Sequence, residues 1–398
     1  MRNGRYVAWV VMLVPACFSP RFPDQPCGPQ DECPAGTTCS SRGFCEPTTP
    51  DAGGINDVMV DSIDDSAGGS EATPPDAQLC FGSFVRVCFN TAADVPTSPV
   101  MLGTTNIPTD SAPVCHQHND QATKYCVIAG TSITTLPSTI LRAYGIKPLV
   151  LLSTTTADIS GNIDVSSRNG VANPVGAGAN PTGSDVCTGA TLAAGVSGGF
   201  GGSFGGRGGD GESKDGAQGI PSPAQASFPD KLRGGCPGGD GAGGGGRGGD
   251  GGGAVAIIAT TIQLSGTINA SGAGGHGGPA TKSGGGGGGS GGMIVLDAST
   301  VSATGALFAN GGGGGQAGST TAAGDDGGES TGPTNTAQGG NNTSNAGGSG
   351  GRGSSGANLS GANATGGSQG SGGGGAGGGG AGFIRAPGVT TNIAPPSS

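Results

Sequence analysis

The sequence predicts an all-β chain: a short parallel β-helix (β-solenoid) with long glycine-rich insertions, preceded by a small disulfide-rich module and a disordered linker. Two observations carry this. An 18-residue pattern recurs as LVLLSTTTADISGNIDVS, AVAIIATTIQLSGTINAS and MIVLDASTVSATGALFAN, beginning at Leu149, Ala254 and Met293. Within each copy apolar residues alternate with polar or small ones, the period of strands with one buried face. The second observation is composition. Of 398 residues 91 are glycine and only 11% are charged, against roughly 7% and about 25% in ordinary globular domains. The glycines lack the strict three-residue period of collagen. With 3 Tyr, 1 Trp and 11 Phe, a core must come from thin layers of Val, Ile, Leu and Ala, which stacked strands use well.

The N-terminus opens with Arg2 and Arg5, then the apolar run Tyr6 to Val14, then Pro15-Ala16-Cys17. A basic start and a short apolar run read as a secretory signal over residues 1–16, too short to be a permanent membrane span. Val-Pro-Ala-Cys resembles the bacterial lipobox, in which the cysteine is acylated and becomes the mature N-terminus, although Pro15 departs from the usual small residue. Cleavage with Cys17 joining a disulfide is the alternative. The chain has 11 cysteines, so a lipidated Cys17 leaves ten, an even set suited to an oxidising compartment.

Within residues 17–45, Cys27, Cys33, Cys39 and Cys45 are evenly spaced among Pro, Gly and Asp and read as a stapled module. Zinc motifs pair their ligands more closely. Residues 46–79, rich in Thr, Pro, Asp, Ser and Gly, read as a disordered acidic linker. Residues 80–147 are expected to form a cap and entry rungs stapled by Cys80, Cys88, Cys115 and Cys126, with pairing left open.

Residues 148–387 form the expected solenoid. Aligning Gly161, Gly266 and Gly305 puts Val150, Val255 and Ile294 in one inward column and Leu152, Ile257 and Leu296 in a second. Ile159, Leu264 and Ala303 make a third, and Ile163, Ile268 and Leu307 a fourth. Each copy divides into three short strands, as in Val255 to Ile257, Ile262 to Leu264 and Ile268 to Ala270, with a corner near Thr260. A β-sandwich with glycine loops is the rival, but matching columns favour stacking. The glycine tracts follow the third strand of each copy, at Gly170, Gly272 and Gly311. They are either flexible low-complexity loops or extended polyglycine helices packed on the strands. Cys187 and Cys236 lie in the largest insertion, where a bridge would restrain it. Residues 388–398 read as a disordered Pro-rich tail.

The formal charge of −10, without a Lys/Arg cluster, argues against nucleic acid. GGRGGDG occurs at Gly205–Gly211 and Gly245–Gly251, and Asp210, Asp240 and Asp250 are weak calcium candidates on glycine turns, with plain turn geometry favoured. His116 and His118 beside Cys115 suit a disulfide with exposed histidines better than a metal, and His276 reads as inert. Outward carboxylates are isolated, at Asp158, Asp164 and Asp297, so no catalytic residues and no cofactor are expected.

Cys17, the CPAGTTC core, KPLVLLSTTTADISGNIDVSS, GGAVAIIATTIQLSGTINASGAGG and GGGGGGSGGMIVLDA together resemble glycine-rich β-helix lipoproteins of Gram-negative bacteria. The resemblance implies a surface-displayed structural or adhesive protein without a catalytic site. It would be lipid-anchored in the outer membrane, with surface polysaccharide or other surface proteins as partners. A carbohydrate-binding or carbohydrate-cleaving β-helix and a calcium-dependent folding module are the alternatives.

Overall fold

The structure, a computed structural model, describes residues 37–39, 45–47 and 79–396, except 112, 184–185, 344–346 and 367–370. The signal segment 1–16, Cys17, Cys27, Cys33 and nearly all of the linker 46–79 lie outside the described residues. The chain divides into two compact units, Met1–Glu71 and Ala72–Ser398. In the first, β1 (Thr37–Cys39) and β2 (Cys45–Pro47) pair antiparallel with Cys39 opposite Cys45.

The second unit opens with an antiparallel pair, β3 (Cys80–Phe81) and β4 (Val87–Cys88), and a 3₁₀ turn at Ala92–Asp94. The chain then alternates between two parallel sheets. It runs through β5 (Val100–Leu102), β6 (Thr105–Pro108), β7 (Cys126–Gly130), β8 (Ile133–Thr135), β9 (Ile140–Tyr144) and β10 (Leu149–Ser153). β11 (Thr156–Ile159), β12 (Asn162–Asp164), β13 (Ala254–Leu264), β14 (Thr267–Asn269), β15 (Met293–Ala303) and β16 (Ala306–Phe308) follow, then β17 (Phe383–Arg385) and β18 (Ile393–Ala394). The larger sheet has the order β17-β15-β13-β11-β8-β5, with β10 lying between β13 and β7. The smaller has the order β18-β16-β14-β12-β9-β6.

Burial explains why the repeats read as they do. Leu149, Leu151, Val255, Ile257, Ile294 and Leu296 point into a core shared with Ile163, Ile268 and Leu307 of the smaller sheet. Their neighbours Val150, Leu152, Ala256, Ile258 and Val295 pack on the opposite face against Phe89, Phe204 and Leu232. With both faces covered, this half of the sheet carries unbroken apolar runs such as LVLL and AVAII. Further along β13 only the inner face is covered, so Ile262 and Leu264 are buried while Gln263 is exposed, and simple alternation returns.

The β-solenoid of three-strand coils is overturned. β13 and β15 each run 11 residues without a break through the expected corner near Thr260, so a copy supplies strands to two sheets rather than three faces. Two expected columns shift as well. Leu149, not Val150, pairs with Val255, and Leu151, not Leu152, pairs with Ile257. The register recovers at Ile159 opposite Leu264 because the first copy has one extra residue between β10 and β11. The last segment is not a free tail: Ile393 and Ala394 pair with Leu307 and Phe308.

The glycine tracts are not loops on a coil but a packed body of their own. Tract 284–292, which leads into β15, makes no hydrogen bond within itself and donates in strict rotation to three neighbours. Gly285, Gly288 and Gly291 donate to Gly374, Gly377 and Gly380, at 3.1, 2.9 and 2.9 Å. Gly284, Gly287 and Ser290 donate to Ala242, Gly239 and Cys236, while Gly286, Gly289 and Gly292 donate to His276, Ala273 and Ala270. Its carbonyls accept from further stretches: Gly285 and Gly288 from Gly199 and Gly202, Gly284 and Gly287 from Gly246 and Gly249, Gly289 and Gly286 from Gly312 and Gly315. A partner that recurs every third residue identifies a left-handed extended helix of three residues per turn. Six stretches surround this one, leaving no side free for a side chain. A Cβ built on Gly287 would fall inside the carbonyl of Phe200.

Gly287→Ala is accordingly expected to cost about 1–3 kcal/mol, the usual penalty for overpacking. Gly103 has nothing within 4 Å of its built Cβ, so Gly103→Ala should be neutral or stabilising by up to about 1 kcal/mol. Denaturant unfolding of the two variants checks both.

Candidate functional site

The cysteines pair as Cys80–Cys88, Cys115–Cys126 and Cys187–Cys236. The bond at Cys115 removes the thiolate that a metal site in CHQHND would use. His116 is packed edge-on against Phe89, at 5.2 Å between ring centres. Burial, aided by the neighbouring His118, lowers its pKa, against a weaker opposing pull from Asp94. His118 is exposed, with Nδ1 3.9 Å from Asp94 Oδ1, and His276 Nδ1 lies 3.4 Å from Asp326 Oδ2. Among the described residues no group of three or more His, Cys, Asp or Glu is placed to hold a metal ion.

The GGRGGDG motifs are stretches of extended glycine helix, not turns. Arg207 donates to Asp210 Oδ1 at 2.6 Å and Arg247 to Asp250 Oδ1 at 3.0 Å. Three residues per turn bring positions i and i+3 to one side of such a helix, which accounts for the spacing R-x-x-D. Asp250 also accepts from Asn180, and Asp240 accepts from the Gly248 N–H. These carboxylates brace the glycine body.

The three outward carboxylates separate. Asp158, on β11, accepts from Ser160. Asp297 accepts from the Ser83 and Phe84 N–H groups and the Ser83 hydroxyl, tying the loop between β3 and β4 to β15. Asp164 lies on the other sheet, so it shares no face with Asp158.

Asp164 stands at the wall of a cleft of about 340 Å³. Pairing of β9, β12, β14 and β16 places Arg142, Asp164, Asn269 and Phe308 in one outward column, with Ile140, Asn162, Thr267 and Ala306 beside it. Glu329, Ser330 and Thr331, from the insertion after β16, form the facing wall. Asp164 is buried and fully engaged. Oδ2 accepts from Arg142 at 2.8 Å and Arg168 at 2.7 Å, and Oδ1 from the Ser166 N–H at 3.1 Å and hydroxyl at 2.5 Å. Those bonds occupy the roughly four lone-pair directions of a carboxylate, so Asp164 organises the two arginines and has no free capacity as a base. Glu329 accepts from the Asn169 N–H. Its pKa is raised, chiefly by burial, while Asn169, Arg168 and Arg142 pull it down and Asp164 pushes it up.

A second concavity, of about 460 Å³, is bordered by Cys187–Cys236, Phe204 and Arg233. The Arg233 guanidinium lies 4.0 Å over the Phe204 ring and donates to Gln225 Oε1 at 2.7 Å. Burial pushes its pKa down to about 10. Phe204 in turn meets Phe383, whose ring also contacts Phe228.

Comparison of the chain with family models, curated proteins and solved structures gives no match. Of the polar side chains lining the cleft, the sequence singles out Asp164. Arg142 was within reach: setting STILRAYG against SGNIDVSS, with Leu141 on Ile163, puts it beside Asp164. Nothing in the low-complexity sequence around Glu329 signals its partner wall, because that contact spans the insertion.

The Cys187–Cys236 bridge has a sequence separation of 49. Replacing both cysteines by serine should cost about 4 kcal/mol on the loop-entropy model, read by denaturant unfolding. A carboxyl with a raised folded pKa holds its proton more tightly when folded, so its contribution to stability falls as pH rises from the ordinary glutamate range toward the folded value. Wild type should therefore lose stability relative to Glu329→Gln across that window, measured by melting temperature at stepped pH.

Proposed function

We propose that the chain is an exported, non-enzymatic surface protein with a structural or adhesive role, anchored to the outer membrane through a lipid on Cys17. The observation that carries this reading is the glycine body joined to three disulfides in the described residues. Disulfides persist in oxidising compartments outside the cytosol. A body whose backbone groups are satisfied from all sides by other backbone suits a part that must keep its shape without a partner. The fully engaged Asp164 supports a role in holding rather than reacting. On this reading the membrane is met through the lipid, and surface polysaccharide or other surface proteins are the partners.

Intact mass of the membrane-extracted protein tests it, with alkylation before and after reduction. The expected result is an acyl adduct on Cys17 and ten cysteines that alkylate only after reduction. An unlipidated chain with reactive thiols overturns both the anchor and the exported location.

A further inference from the structure

We propose that the cleft between the smaller sheet and the insertion after β16 is a binding site for an uncharged saccharide unit. Asn269 carries the argument. It is only 8% exposed and lines the cleft. Its side-chain oxygen accepts from the Ser271 N–H at 2.9 Å, which fixes the amide, while its Nδ2 has no partner among the described residues. A carboxamide oriented at one end, with its donor open to the cleft, presents that donor to whatever enters, and a hydrogen bond made there contributes about 0.5–1.5 kcal/mol.

The surroundings define the chemistry. Phe308, 4% exposed, lies next to Asn269 in the same column and contributes a small apolar edge to the cleft. Asn162 and Thr267 stand on the adjoining column, and neither side chain has a hydrogen bond to the described residues. Glu329 and Thr331 add acceptors and a hydroxyl from the opposite wall. Donors and acceptors gathered beside a small apolar edge match a ring bearing hydroxyls on its rim and C–H bonds on its face. A charged ligand fits less well, because Arg142 and Arg168 already share Asp164 and lie near Glu329. The volume, about 340 Å³, is at the small end of ligand sites, which run from about 300 to 1,000 Å³, and suits one or two sugar rings. The site deepens the adhesive reading and rests on it for its biological setting alone.

The test is ligand-observed saturation-transfer NMR on the purified full-length chain, with glucose, galactose, N-acetylglucosamine, maltose and cellobiose as probes and glucuronate as the charged comparison. At least one neutral sugar should bind, and both Asn269→Asp and Asn162→Ala should weaken it by about fivefold or more, the loss of one hydrogen bond. Asn269→Asp keeps the acceptor for Ser271, removes the donor and adds a negative charge beside Asp164, so the neutral change Asn162→Ala serves as its control. Asn162 is exposed and its side chain makes no hydrogen bond to the described residues, so its replacement tests the site even where the first variant fails to fold. No binding by any neutral sugar, binding of glucuronate alone, or unchanged affinity in Asn162→Ala overturns the proposal. None of these outcomes depends on the mass of Cys17, so the two readings fail separately.

Discussion

The rest of the fold depends on the rotation of backbone hydrogen bonds around tract 284–292. Each residue turns its N–H about a third of a revolution from the last, so consecutive groups meet three different stretches, and the carbonyls meet three more. Such a lattice closes only when the axes approach until backbone touches backbone. Side chains at those positions are therefore excluded by contact, not by preference. Ser290 is the informative exception: its hydroxyl accepts from the Cys236 N–H at 2.8 Å and lies 3.2 Å from the Cys236 carbonyl, so it joins the backbone pattern. Glycine loses more conformational entropy than any other residue on ordering, and the saturation of nearly every polar group offsets that loss.

This body and the sheets are one continuous construction. Tracts 245–253, 284–292 and 374–382 run directly into β13, β15 and β17, and the chain re-enters the lattice on leaving β14 and β16. A strand and an extended glycine helix differ modestly in backbone angles, so the chain passes from one to the other without a turn. The consequence for the larger sheet is burial on both faces where it adjoins the body, and on one face only beyond it. The consequence for the smaller sheet is a cleft: the insertion that returns to the lattice brings Glu329 and its neighbours over the column Asp164, Asn269 and Phe308.

Charge is used sparingly and locally. Arg207–Asp210 and Arg247–Asp250 close within a single turn of extended helix, which leaves both guanidinium groups partly in solvent while Asp250 itself is buried and also held by Asn180. Around Asp164 three ionised groups converge, with Arg142 from β9 and Arg168 from the segment after β12, while Lys282 and Asp215 form a single pair between two insertions. Distributing two guanidinium groups over one carboxylate gives that wall its rigidity and leaves amide and hydroxyl groups to face the opening.

By itself the sequence determined the repeated strands, their parallel pairing at Ile159 with Leu264 and Ile163 with Ile268, and the separation of apolar runs by glycine, because side-chain alternation and burial are local properties. It also held the clue to Arg142 beside Asp164, since Leu141 matches Ile163 in the apolar pattern. What it did not determine was the two-sheet arrangement, the one-residue slip between β10 and β13, and the order of the glycine tracts. Those tracts carry no side-chain pattern, so their partners are specified by how many stretches pack together and at what distance. The pairing of the cysteines, the approach of Glu329 to the smaller sheet and the unspent amide of Asn269 follow from that packing. Only the tertiary structure decided them, since each is a contact between segments whose separation along the chain exceeds the reach of any local pattern.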